Sequence, residues 1–336
     1  MRRPTLAFAM SPALTPDLIS PAQHARFAEL CAVLDPEPLP TLRGERAMRL
    51  LPIVEILVTG WGCPPIDAEV LALAPRLRLI LHAGSSIKPI VTATIWERDV
   101  ALVSAAAANA IPVAEFALAV ILLANKGAFA VRERYRAERQ AWRLPWTAPG
   151  EGGNFGAVIG IVGASRIGRN LLDLLRPFTL RVLIADPFLS AGEARSLNAE
   201  LVELDVLLTQ SNVVSLHAPL LPATVGMIGR RELGLMRDGA TLVNTARGGL
   251  IDAAALETEL ATGRLSAILD VTEPEPLPPQ SPLFDMPNVF LTTHIAGAAG
   301  AETQRMTQLL LDELERFLRS EALQHRVTQS MLERVG

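Results

Sequence analysis

Residues 157–168 read AVIGIVGASRIG, and their reading decides the fold. Six apolar or glycine residues predict a strand over Val158–Val162, and Gly163 permits the tight turn that follows. A helical stretch, Ile167–Arg176, comes next, so the free N–H groups and positive dipole end of a helix face whatever lies beyond the turn. Gly168 lets that helix pack closely on the strand. Eighteen residues further on, the next strand ends in Asp186, where a carboxylate can accept both adenosine ribose hydroxyls. A glycine turn alone is weak. Strand, glycine turn, helix, strand and terminal acid in this order predict a dinucleotide site carried by Gly163, Ser165, Arg166, Ile167, Gly168 and Asp186. One position departs from the Gly-x-Gly-x-x-Gly pattern: Ser165 stands where the middle glycine lets the backbone approach a pyrophosphate. Its hydroxyl is expected either to displace the phosphate slightly or to hydrogen-bond to it, with Arg166 adding a nearby charge. Asp186 would repel a 2′-phosphate, and Pro187 and Phe188 offer no cation to offset it, so NAD is favoured over NADP.

Outward from this stretch, short apolar runs alternate with helical segments along the whole chain. The strand expectations are Leu6–Met10, Glu55–Thr59, Arg78–His82, Ala101–Ser104, Val158–Val162, Val182–Asp186, Val213–His217, Thr241–Thr245, Ala267–Val271 and Val289–Thr293. Most are continuous apolar runs rather than alternations, which suits parallel strands covered on both faces. With 336 residues, 50% of them hydrophobic and 20% charged, the chain is an α/β protein of two domains rather than a disordered or disulfide-stapled one. The net charge of −4 argues against a general attraction to nucleic acid. Cys31 and Cys63 are the only thiols and no secretory leader is recognised after Met1, so a cytoplasmic location is expected. Residues 101–124 are apolar enough to nominate a membrane span, but Asn109, Pro112 and Glu115 fall in the middle. The preferred parse is a strand, a small-residue loop, and a buried helix with Pro112 in its first turn.

Residues 128–156 break the rhythm, mixing five arginines with Glu133, Glu138, Tyr135, Trp142 and Trp146. The interleaved acids favour a protruding arm packing on a partner subunit over a nucleic-acid patch.

The segment 241–297 holds TLVNTARGGLID, SAILDVTEPEP and NVFLTTHIAG, which place Arg247, Glu275 and His294 just beyond strand ends, where parallel sheets bind ligands. Each has an ordinary structural reading on its own. Together, behind a dinucleotide fold, they have a definite use. These phrases, with LRLILHAG at 77–84, NAIPVAE at 109–115 and VVSLHAPLLPATVGMIG at 213–229, resemble the D-isomer-specific 2-hydroxyacid dehydrogenases from about residue 50 to 326.

That resemblance implies two Rossmann-like doubly wound domains with the active site in the interdomain cleft. It implies a discontinuous substrate-binding domain, 1–108 plus 299–336, around an NAD-binding domain, 109–298. Hinges would lie at Asn109–Pro112 and near Gly297–Gly300. It further implies a homodimer, for which the 128–150 arm is the candidate contact; with the chain ending soon after its closing helix, no C-terminal regulatory domain is expected. Arg247 would hold the carboxylate of a 2-keto acid and polarise its ketone, its planar fork suiting both. His294 would be the general acid in reduction and the base in oxidation, while Glu275 would favour the imidazolium and fix its tautomer. Thr245, Ala246, Asp270, Ala296 and Gly297 match the nicotinamide end, and Leu216, His217 and Pro219 the adenine and ribose side. His217 is most simply a packing residue beside the cofactor. His24, His82 and His325 receive no role. Backbone N–H groups of Gly84, Ser85 and Ser86 would bind the substrate carboxylate, with Asn109 and Trp61 nearby.

Departures narrow the substrate. The loop Gly60–Pro65 (GWGCPP) has no cation where members acting on phosphoglycerate carry arginines, and Gly84–Ser86 replaces a Gly-x-Gly pattern. An unphosphorylated acid of the glyoxylate or hydroxypyruvate type is expected, with Trp61 as an apolar wall. Two other readings stand beside it. One is a different dehydrogenase on the same scaffold, although the formate type places glutamine at the Glu275 position and only the phosphite type stays open. The other is an NAD(H)-sensing regulatory protein.

Overall fold

A computed structural model describes residues 2–139 and 152–332; Trp142, Arg143, Trp146 and the rest of the expected arm at 140–151 lie outside the described residues. The chain divides into two compact units, Met1–Asn109 with Ala298–Arg334, and Ala110–Gly297.

The first unit is built on five strands, β1 (Thr5–Ala9), β2 (Ala32–Val33), β3 (Ile56–Thr59), β4 (Leu79–His82) and β5 (Ala101–Ser104), in the order β2-β1-β3-β4-β5. All pairs are parallel. Alternate residues feed opposite cores: Ala7, Leu57, Ile80 and Leu102 on one face, Leu6, Phe8, Ile56, Val58, Leu79 and Leu81 on the other. The helix Thr303–Leu318 returns to this second face through Met306, Leu310 and Leu314. Buried Glu313 then accepts the N–H groups of Gln324 and His325, and the chain reaches β5 through Val327 N–H to the Leu102 carbonyl at 2.7 Å.

The second unit holds β6 (Val158–Val162), β7 (Arg181–Ala185), β8 (Glu200–Leu201), β9 (Val213–Leu216), β10 (Thr241–Asn244), β11 (Ser266–Leu269) and β12 (Val289–Leu291). Their order, β12-β11-β10-β9-β6-β7-β8, reverses direction at β6, as in dinucleotide-binding sheets. The register aligns the carboxyl ends: Ala185, Val162, Leu216, Asn244, Leu269 and Leu291 form one row across six strands. The next residue of each strand is therefore delivered to one edge: Asp186, Gly163, His217, Thr245, Asp270 and Thr292.

One expectation is corrected. The helix Ala106–Asn125 contains Pro112 in its interior and does not begin there. Proline removes one backbone bond, to the Ala108 carbonyl. The alanines before it are strong helix formers, and Ala114, Ala117 and Ile121 are wholly buried beyond it, which offsets that loss. This helix is long and apolar enough to cross a membrane by composition, yet 44% of its apolar window is buried inside the protein.

Candidate active site

The glycine turn has the geometry the sequence requires. Gly163 adopts φ +99°, and a Cβ there would sit 2.6 Å from the Ala218 nitrogen. A Cβ on Gly168 would collide with the Gly163 carbonyl oxygen. No other residue fits either place. Ser165 caps the helix Arg166–Leu175, its Oγ accepting from Gly168 N–H at 3.3 Å. The hydroxyl thus serves the helix as an acceptor while its own proton stays free to donate. Asp186 follows β7 directly. Its Oδ2 accepts from Ala164 N–H at 2.6 Å and its Oδ1 from Phe188 N–H at 2.8 Å, tying the acid to the turn. Arg166 is exposed at the helix start, and Ile167 is half-buried in the core beneath.

Among the described residues, two buried polar atoms along the same edge lack a protein partner: His217 Nδ1 and Thr245 Oγ1. Orphan groups of this kind are rare in finished interiors and mark places where something else completes the hydrogen bonding. Together with the glycine cradle they fit NAD, with Thr245 and His217 among the residues that would hold it. His217 donates or accepts at Ser215 Oγ through Nε2, 2.9 Å away, and burial holds its imidazole down to about 4, which leaves it neutral and without acid–base work. Leu216 is wholly buried in the sheet, while Pro219 is half-buried.

His294 lies three residues past β12 in the left-handed region, φ +57°. Its Nδ1–H donates to Glu275 Oε1 at 2.6 Å, so Nε2 is the nitrogen left for proton exchange. The loop that carries it hangs on Asp270, only 2% exposed. Asp270 Oδ1 accepts from Thr292 Oγ1 (2.6 Å) and Ile295 N–H (2.8 Å), Oδ2 from Ala296 N–H (2.9 Å), and its carbonyl from His294 N–H (2.8 Å). Asp270 was expected to line the nicotinamide end; its carboxylate is instead committed to holding the His294 loop. Arg247 is half-buried and donates to the Ala246 carbonyl at 2.6 Å. The structure joins His294 to Glu275 but shows no hydrogen bond from Arg247 to either. Gly248 explains where Arg247 sits: a Cβ there would collide with the Thr272 carbonyl, so the loop after β10 lies against the loop that leads to Glu275. Ala246 and Ala296 are buried beside these groups and Gly297 is half-buried.

In the first unit, the last row of the sheet is Ala9, Thr59, His82 and Ser104. Just beyond it, the N–H groups of Gly84, Ser85 and Ser86 have no protein acceptor among the described residues. Trp61, 38% exposed, stands on the next loop, which is pinned by Ser11 N–H to the Trp61 carbonyl at 2.8 Å. Asn109 Oδ1 accepts from Ala298 N–H at 2.7 Å, a tie between two stretches of chain. His82, given no role from sequence, ends β4 two residues before Gly84. That proximity was the one available signal.

A glycine cradle at the switch point of a seven-stranded parallel sheet, with an imidazole–carboxylate pair on the same edge, defines a dinucleotide-binding α/β unit. The model of the D-isomer specific 2-hydroxyacid dehydrogenase NAD binding domain matches residues 118–296. The chain is 34% identical over 271 residues to a glyoxylate reductase of Korarchaeum cryptofilum, covering 80% of this chain and 81% of that protein. It is 33% identical over 272 residues to a D-3-phosphoglycerate dehydrogenase of Archaeoglobus fulgidus, covering 80% of this chain but 50% of that protein, so it spans about half the length of that relative. Among solved structures, a phosphoglycerate oxidoreductase from Rhizobium etli superposes with a TM-score of 0.81 at 23% identity, over 98% of this chain and all of that one. The chain belongs to the D-isomer-specific 2-hydroxyacid dehydrogenase family, and its second unit binds NAD.

Proposed function

We propose that the protein reduces small, unphosphorylated 2-keto acids to D-2-hydroxy acids, and runs the reverse oxidation. The observation that carries this reading is the His294–Glu275 hydrogen bond at 2.6 Å, on a loop fixed by Asp270. NADH, when bound, supplies the hydride to the keto carbon. His294 Nε2 gives the keto oxygen its proton, and Glu275 stabilises the charged ring before transfer and keeps Nε2 as the exchanging nitrogen. In the second unit Arg247 suits a carboxylate, and in the first the N–H groups of Gly84, Ser85 and Ser86, without an acceptor among the described residues, are available to an anion. The cation-free loop 60–65 and Trp61 favour a short apolar or hydroxymethyl substituent over a phosphate. A homodimer joined through the 128–150 arm belongs to the same proposal, and gel filtration of an arm deletion would check it.

The test is a panel of glyoxylate, hydroxypyruvate, pyruvate, longer 2-keto acids and 3-phosphohydroxypyruvate with NADH. His294→Ala should lower kcat by roughly 10²–10⁴-fold while NADH binding persists. Phosphohydroxypyruvate as the best substrate would overturn the substrate class. NADH binding with no turnover of any keto acid would favour the sensing alternative.

A further inference from the structure

We propose that His82 is the positioning residue of the substrate-carboxylate turn Gly84–Ser86; this rests on the functional reading above. His82 is the last residue of β4 and 3% exposed. Its Nδ1 lies 2.9 Å from the hydroxyl of Thr59, the residue beside it in register on β3. The other edge of the ring reaches upward. A Cβ on Gly84 would lie 2.5 Å from His82 Nε2, so the imidazole occupies the floor of the turn. The Ser86 backbone also acts on the ring, favouring its protonated form against the larger effect of burial. With Nδ1 engaged by Thr59, that influence falls on Nε2.

The ring therefore forms a strut from the sheet to the floor of the turn. Burial holds the imidazole down to about 4, so it is neutral near pH 7 and carries one N–H. A consistent proton arrangement runs from the Thr59 hydroxyl into Nδ1 and leaves Nε2–H facing the turn. The near end of the turn is fixed by backbone alone: Ala83 N–H to the Thr59 carbonyl at 2.7 Å, and Ala105 N–H to the carbonyls of His82 and Gly84 at 3.0 and 3.1 Å. The middle of the turn, where the N–H groups of Gly84, Ser85 and Ser86 lack acceptors, has the His82 ring as its side-chain support among the described residues. Three donors converge on one anion only if the backbone between them is held, and the ring holds it.

The experiment compares His82→Gln, whose amide reaches the Nε2 position, with His82→Asn, which stops at the Nδ1 position, using the best keto acid of the panel. His82→Asn should raise KM for the keto acid roughly tenfold, with kcat changed less than about threefold and KM for NADH unmoved, the scale of one lost hydrogen-bonded link. His82→Gln should bring KM back to within about threefold of the wild type. Equal KM values in both variants and the wild type, or losses shared by kcat and by KM for NADH, would overturn the assignment. If the His82 variants do not fold, Thr59→Val, which removes the hydroxyl that fixes Nδ1, should raise KM for the keto acid several-fold, and an unchanged KM there overturns it equally. A wild type that turns over no keto acid overturns the functional reading, and this inference with it. Turnover in the wild type with unmoved KM in the variants overturns this inference alone.

Discussion

Ser165 shows how much a single position can say. From sequence it reads as a defect in a glycine pattern; in the structure its Oγ caps the helix that faces the cofactor. Replacing it with glycine should cost only a few tenths of a kcal/mol in stability, because glycine is itself a tolerable cap. Without the Cβ the backbone can approach the pyrophosphate, so Ser165→Gly should tighten NADH binding in a fluorescence titration. Weaker binding would mean that the hydroxyl donates to the phosphate. Gly163 and Gly168 were legible because backbone geometry demands one residue type at one spacing. His82 was not, because its work depends on Thr59 lying beside it in register, and that pairing belongs to tertiary structure.

At the scale of elements, the long apolar strands were readable to within a residue or so, since burial on both faces leaves an uninterrupted run. The two-residue strands β2 and β8 were missed: Ala32–Val33 and Glu200–Leu201 are too short to form a pattern. The internal proline was misplaced because local preference before Pro112 was weighed without the burial that follows it. The loop 292–296 is the element on which chemistry turns, and Asp270 is its anchor. Asp270→Asn would set an amide N–H₂ against backbone N–H donors on one side, so about 1–3 kcal/mol of local stability should go. The expected readout is a lower kcat from a displaced His294, with amide exchange faster at Ile295 and Ala296. Wild-type kcat with unchanged exchange would show that the loop stands without the carboxylate.

For the whole molecule, each unit contains one deeply buried neutral imidazole, His82 in the first and His217 in the second, both held down to about 4 by burial. An unfolded histidine titrates near 6.5, so between these values the unfolded chain binds more protons and stability rises with pH. The contribution is fully present above about pH 6.5 and drains away as pH falls toward 4. At about pH 5.5 each imidazole should have cost its unit on the order of 1 kcal/mol relative to pH 7.5. Urea midpoints at the two pH values check this, and His217→Asn should flatten the dependence in the second unit. A midpoint that stays constant between them would contradict it.

The hydrogen bond from Ala298 N–H to Asn109 Oδ1 brings together the points where the polypeptide leaves the first unit and re-enters it. Topologically, the nucleotide-binding segment is a cassette spliced into one position of a host. A cassette whose entry and exit are adjacent can be excised and the host religated with a short peptide, or exchanged for a relative's, with little strain on either piece. Hybrids that join this host to the nucleotide-binding segment of a relative are therefore buildable at that one seam.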